Sequence, residues 1–322
     1  MEDALTIAEG EGDDWSADRR LRDRRLECVA ATSEVVAVGT FDAGLFRSTP
    51  AGREWTRVGE DRLPESVMSL AVSPHDSGEW WLGTEPSRVF RSTDAGATWT
   101  EQPGLTDLPS ADEWYFPPRP DTHHVRWIEV DPHDPERLYL GIEAGAFVLS
   151  EDAGTTWRDR PEGARLDNHQ LATHADAPGR TYSAAGDGYA ESTDGGETWH
   201  HPQNGLEHRY VWSVAAAPAD PDHVLVSAAR SAGSAHSQPA ESYVYRRTAP
   251  AGSWERLEDS GLPTGEGVTR AVLASGRGGR TFYAATNRGV FRTRDGGETW
   301  SRLPIDWPDR YESMTCRGLA IV

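Results

Sequence analysis

The octet STDGGETW at Ser192–Trp199 returns at intervals along the chain, and this recurrence limits the possible folds more than any other feature. Close copies are STDAGATW at Ser92–Trp99, SEDAGTTW at Ser150–Trp157 and TRDGGETW at Thr293–Trp300. Looser copies are STPAGREW at Ser48–Trp55, TAPAGSW at Thr248–Trp254 and EGEGDDW ending at Trp15. The seven closing tryptophans are separated by 40, 44, 58, 42, 55 and 46 residues. A unit of that length cannot bury its apolar face alone, so neighbouring units must stack into a common core.

The residues around each copy define the unit. A short apolar strand precedes the octet, as in Val89-Phe90-Arg91 and Val290-Phe291-Arg292. Before it lies a second strand ending in small residues, as in Trp80-Trp81-Leu82-Gly83 and Leu138-Tyr139-Leu140-Gly141. Earlier still come a β-branched run and a proline-acid turn, as in SLAVSPHDSG and WIEVDPHDPE. Strands this short, bounded by turn residues and without helical periodicity, predict an all-β chain. Each unit reads as a four-stranded blade A–D with the octet as its C–D turn. The whole chain, residues 1–322, is expected to be a single seven-bladed β-propeller, with six blades as the alternative. The run Cys316–Val322 has the A-strand pattern with no chain left to complete a blade, so strands from both termini are expected to close the ring. The two longest gaps carry insertions at about residues 103–124 and 230–241.

The pattern S-x-D-x-G-x-T-W resembles the BNR or Asp-box repeat of sialidases, sortilin-type receptors, xyloglucan-active endoglucanases and photosystem II assembly propellers. Three copies match it in full and Thr293 replaces Ser in a fourth. The resemblance implies that Asp94, Asp152, Asp194 and Asp295 brace turns and that Trp99, Trp157, Trp199 and Trp300 pack between blades. It also implies that function lies on the opposite face. Calcium loops are a poor reading, because each box offers one reliable acid where a hard cation wants several oxygens.

Charge narrows the partners. The chain has 52 acids against 32 bases, every base is arginine, and the net charge is -20. Such a balance argues against nucleic acid or an anionic membrane as the partner. Acid surplus without lysine suits molar salt, where a Debye length of about 3 Å screens self-repulsion; a halophilic, haloarchaeal member is the expectation. There is no apolar run of spanning length and no secretory pattern in MEDALTIAEGEGDD, so a cytoplasmic location is expected. Cys28 and Cys316 are too few for a disulfide framework and are expected to be free, partly buried thiols.

Function is expected where the blades differ. Two residues before each A-strand core stand Glu27, Met68, Arg126, His169, Trp212, Arg270 and Arg317, polar in five of seven cases. Two residues earlier stand, among others, Arg25, His124, Asp167 and Tyr210. Arg126, Arg270 and Arg317, with His124, His169, Tyr210, Trp212 and His236, are the candidate ligand-binding residues at the channel mouth, since arginine forks grip carboxylates and phosphates. The alternative use of these arginines is pairing with Glu27, Glu129 or Asp167. The favoured reading is a binding or assembly module for an anionic small molecule, glycan or protein partner. A sialidase-like glycosyl hydrolase is the alternative, with Tyr210, Glu27, Asp112 and Glu113 as catalytic candidates. A metal-dependent enzyme using His124, His169 and His236 is a second alternative, although no metal-spaced motif is present. No cofactor is otherwise expected.

Overall fold

The computed structural model describes residues 1–12, 14–49 and 52–322; the looser copies at Ser48–Trp55 and ending at Trp15 lie partly outside the described residues. The fold is an all-β, six-bladed β-propeller with almost no helix. By its contacts the chain divides into two compact units. One comprises Arg24–Ser183, Ala190–His200 and Val322, the other Met1–Asp23, Ala184–Tyr189 and His201–Ile321. We call them the four-blade and two-blade units.

Blades of the four-blade unit are consecutive antiparallel sheets. The first runs Leu26–Ala31, Val36–Thr40, Leu45–Ser48, Trp55–Val58; the second Val67–Val72, Trp80–Thr84, Val89–Ser92, Thr100–Gln102. The third runs Val125–Val130, Leu138–Ile142, Ala146–Ser150, Arg158–Asp159. The fourth runs Asn168–Thr173, Thr181–Ala185, Gly188–Ser192, with His200 bridging Glu191. The two-blade unit holds Tyr210–Ala217, Asp220–Ala229, Glu241–Arg247, Glu255–Arg256, with Gly265–Glu266 added, and then Val272–Ser275, Phe282–Thr286, Gly289–Thr293, Ser301–Arg302. Several central strands are buried on both faces, as in Trp80–Thr84 and Leu138–Ile142, so they read as continuous apolar runs rather than as alternation.

The expected seventh blade is not formed. Leu5–Glu11 and Asp14–Arg20 make a two-stranded sheet of their own. Cys316–Val322 has the apolar pattern of an A strand but lies outside any strand. Side-chain contacts tie it in: Arg270 Nη1 donates to the Cys316 carbonyl at 2.8 Å, and Arg317 Nη2 lies 3.5 Å from Glu2 Oε1. The termini do meet within this unit, but as side-chain partners. Apolar patterning selects a face; it does not supply a neighbouring strand to bond with.

The octet is a self-contained hydrogen-bonded turn. In the Asp194 copy, Ser192 Oγ donates to Asp194 Oδ1 at 2.7 Å and accepts from Gly196 N at 2.9 Å. Asp194 also accepts from Thr198 N at 3.0 Å and from Thr198 Oγ1 at 2.6 Å. Asp94, Asp152 and Asp295 make the same set, and Thr293 replaces Ser without loss because its hydroxyl reaches Asp295 Oδ1 at 2.7 Å and Gly297 N at 3.0 Å. Every part of the motif is consumed by the turn. Gly196 and Gly297 adopt positive φ, as the loop requires.

These bonds have a pH signature. Burial opposes ionisation of Asp295, yet hydrogen bonds from Thr293 and Thr299 bring its carboxyl down to about 2. Asp94 and Asp194 are lowered for the same reasons, and Asp152 chiefly by its bonds from Thr156. Because the folded values are depressed, this stabilisation is present above the unfolded value and is lost as pH falls from about 4 towards 2. The boxes are solvent-exposed, so each contributes about 1 kcal/mol or less. Urea unfolding at pH 7 and pH 2.5 should therefore show a smaller acid penalty in Asp295→Asn than in the wild type. Equal penalties would refute the assignment.

Candidate functional site

Four A strands carry a bulge at their second or third residue. Register shifts fall between Leu26 and Cys28, Val67 and Ser69, Val125 and Trp127, and Val211 and Ser213. The bulged residues are Glu27, Met68, Arg126 and Trp212, four of the seven positions singled out in the sequence. A bulge re-aims its side chain. Here it turns it inward: these four, with His169 and Arg270, are all buried. The facing B-strand glycine is needed for close approach; a Cβ on Gly83 would lie 2.4 Å from Ser69 Oγ and 2.6 Å from Val125.

In the four-blade unit these residues build a buried polar chain. Glu85 follows strand Trp80–Thr84, His124 precedes strand Val125–Val130, and Glu143 follows strand Leu138–Ile142. His124 Nε2 lies 3.0 Å from Glu143 Oε2, and its Nδ1 lies 3.4 Å from Glu85 Oε2. Arg126 Nε is 3.5 Å from the same Glu143 oxygen. Burial would raise the Glu143 carboxyl, but the His124 bond and the charges of His124, His169 and Arg126 hold it well below the usual range. His169 Nε2 stands 3.9 Å from Glu143 Oε1 and 3.8 Å from Asp167 Oδ1, and Ala144 N donates to that Asp167 oxygen at 2.9 Å.

The first insertion caps this chain. Its 3₁₀ turns Leu105–Asp107 and Ala111–Glu113 bury Leu105 and Trp114 in a cluster with Trp81, Val125 and Ile142. Asp159 anchors Ser110 through N and Oγ at 2.8 and 2.7 Å, and Trp114 Nε1 donates to Ser110 Oγ at 2.7 Å. Phe116 packs edge-on to His124 at 4.7 Å. Arg119 bonds Glu85 in bidentate fashion at 2.7 and 2.5 Å while lying 4.6 Å from both the Phe41 and Phe116 rings. Tyr115 faces out, 49% exposed, as does Leu166 at 44%. Gly145 N donates to the Leu166 carbonyl at 2.8 Å, and a Cβ on Gly145 would lie 3.0 Å from the Trp114 ring.

The two-blade unit builds a second cluster around the insertion at 230–241. Ser231 caps the short helix Ala232–His236, and Arg270 N donates to the Ala235 carbonyl at 3.1 Å. Arg270 Nε donates to His236 Nδ1 at 3.1 Å, which places the ring proton on Nε2, where it reaches Tyr210 Oη at 3.0 Å. The Arg270 guanidinium lies 3.6 Å over the Trp212 ring, and His236 meets Trp212 edge-on at 4.5 Å. Rather than a loose flap, this insertion is a docked one.

The candidates therefore sort by unit. His124, Arg126 and His169 gather around Glu143; Tyr210, Trp212, His236 and Arg270 gather around one another; Arg317 pairs with Glu2. Arg126 stands 3.5 Å from Glu143, an acid not among the partners named for it in the sequence. Arg270 engages a histidine and a carbonyl, donating to His236 Nδ1 and to the Cys316 carbonyl. Glu113 pairs with Arg160 at 2.6 Å, Asp112 is exposed, and Glu27 is buried. His123 packs edge-on to Trp114 at 5.5 Å. Cys28 and Cys316 are free; burial raises both thiols, Cys28 to about 12.

Sequence reasoning missed Glu85, Glu143, Arg119 and Phe41. A signal existed for the two acids: both stand two residues after the B-strand glycine, in Gly83-Thr84-Glu85 and Gly141-Ile142-Glu143.

Comparison with known proteins agrees with the architecture. The BNR/Asp-box repeat model matches residues 190–201 and 291–302. No curated protein matches the chain in sequence. Among solved structures, the GH74 enzyme of Niastella koreensis is similar at a TM-score of 0.65 and 16% identity, over 90% of this chain and 47% of that one. An ancestral GH74 enzyme is similar at 0.62 and 15%, over 83% and 36%. The chain thus spans less than half of either enzyme. YCF48 bound to D1 peptide is similar at 0.59 and 17%, over 86% of this chain and 81% of that one. At these identities the likeness establishes a shared fold. The chain carries BNR/Asp-box repeats on a β-propeller.

Proposed function

We propose that this chain is a non-catalytic binding or assembly module that takes a protein partner on the insertion of its four-blade unit. The observation carrying this reading is that the two buried carboxylates of the polar chain are already committed. Glu85 is bound to Arg119 and His124, and Glu143 to His124 and Arg126. A general acid or a nucleophile must reach its substrate directly, and buried ion pairs resist being opened, at about 3–5 kcal/mol when one partner is removed. What this unit offers outward is Tyr115 on the insertion and Leu166 outside it, and Arg119 on the insertion keeps 35% side-chain exposure. Aromatic and arginine side chains are the usual anchors of protein interfaces. An anionic partner suits Arg119, whose remaining N–H donors can meet a carboxylate. YCF48, similar in fold along most of its length and named as bound to a peptide, lends support to a polypeptide ligand.

Site-specific photocrosslinking in the native host tests this. A benzophenone amino acid at Tyr115 should give one discrete protein adduct, and the same group at exposed Thr98, in a box, should give none. No adduct at position 115, or equal adducts at both positions, would remove the proposal.

A further inference from the structure

We propose that Glu143, Asp167 and His169 form a binding site for one first-row divalent cation of the Zn²⁺ or Mn²⁺ class. The spacing is the first argument. One ligand atom from each residue lies within 4.8 Å of the others, with His169 Nε2 at 3.9 Å from Glu143 Oε1 and 3.8 Å from Asp167 Oδ1. These separations exceed hydrogen-bonding reach of about 3.2 Å, so the three groups surround a common point rather than bonding to one another. Two ligands of one ion with Zn–N and Zn–O bonds of about 2.0–2.2 Å stand at most about 4.4 Å apart, and both His169 separations fall inside that limit.

Donor chemistry is the second argument. One imidazole and two carboxylates make a mixed nitrogen–oxygen set suited to zinc or manganese, and the two anionic oxygens match a divalent charge. The third is the set of groups holding these ligands in place. His124 Nε2 engages Glu143 Oε2, leaving Oε1 turned towards His169, and Ala144 N fixes the Asp167 oxygen. Hydrogen-bonded outer partners of this kind orient metal ligands. The site ties the end of strand Leu138–Ile142 to the start of strand Asn168–Thr173. This inference stands apart from the partner-binding reading, and either can fail without the other.

The test is titration of the full-length chain, stripped with chelator, with Co²⁺ and with Zn²⁺. Co²⁺ should bind at one equivalent with the visible absorption of a nitrogen–oxygen site, and Zn²⁺ should displace it. His169→Ala should weaken binding by at least about 100-fold and Asp167→Asn by at least about 10-fold. Asp167 is partly exposed, so the asparagine variant remains a usable probe if the histidine variant misfolds. The box variant Asp194→Asn should bind as the wild type does. Absence of saturable binding in the wild type, or undiminished binding in Asp167→Asn, would overturn the site.

Discussion

Trp199→Ala is expected to lower the unfolding free energy by about 3–5 kcal/mol, the range for removing a buried tryptophan. The side chain is 6% exposed, meets Phe147 edge-on at 4.8 Å and lies in a cluster with Tyr139, Leu149, Leu171 and Ala190. Its Nε1 donates to the Gly196 carbonyl at 3.1 Å, so the same residue closes the octet and fills the core. Neighbouring groups cannot collapse into the gap, because the turn behind it is fixed by the Asp194 bonds. The internal control is Trp157→Ala. Trp157 is more exposed and its Nε1 bonds the Pro103 carbonyl, so its removal should cost roughly half as much or less. Denaturant unfolding of both variants decides the point. Equal costs would mean that the octet tryptophans are not packing residues in the way the geometry indicates.

Arg270→Ala should be the second severe change, at about 3–5 kcal/mol. Arg270 has no exposed surface, and three attachments go at once: the bond to His236 Nδ1, the bond to the Cys316 carbonyl and the stack on Trp212. Hydrogen bonds from a charged group are worth about 1.5–3 kcal/mol each, and a desolvated cation–π contact about 2. The losses overlap, so they do not simply add. Arg270→Lys should recover less than half, since an ammonium cannot lie flat on Trp212 while serving both acceptors. Hydrogen exchange adds a local readout. Amides of the 230–241 insertion and of the segment around Cys316 should exchange faster in Arg270→Ala, while those of the Asp295 box should not. A variant with wild-type stability would show that Arg270 is held in reserve for a ligand rather than used to dock the insertion.

This use of Arg270 illustrates where reading the chain succeeds and where it stops. The repeat was legible because a turn that consumes all of its own polar groups can be reused without regard to neighbours. Asp94, Asp152, Asp194 and Asp295 accordingly behave alike. Part of the A-strand alignment was legible too: Glu27, Met68, Arg126 and Trp212 each sit at a bulge of their own strand. Blade number was not. The apolar run after Cys316 carries the pattern of a strand, but whether a backbone ladder forms depends on a partner that no local pattern reveals. Nor was the purpose of the arginines. In a chain with 52 acids an arginine has many possible partners, and Glu143 is distinguished from them only by its place after the B-strand glycine. Order in the first insertion comes from contacts that no local pattern reveals. Its aromatic residues divide by contact, Trp114 inward against Ile142 and Phe116 onto His124, leaving Tyr115 exposed.

The central claim is that the octets are scaffold and that recognition belongs to the insertion. Affinity for the partner crosslinked at Tyr115, measured for two variants side by side, tests it most directly. The double substitution Tyr115→Ala with Leu166→Ala removes exposed side chains only, so it should weaken binding by at least about 10-fold, or 1.4 kcal/mol, with the melting temperature nearly unchanged. Asp295→Asn should lower the melting temperature and leave affinity as it was. The reverse pattern, with affinity lost in the box variant and kept in the insertion variant, would contradict the account.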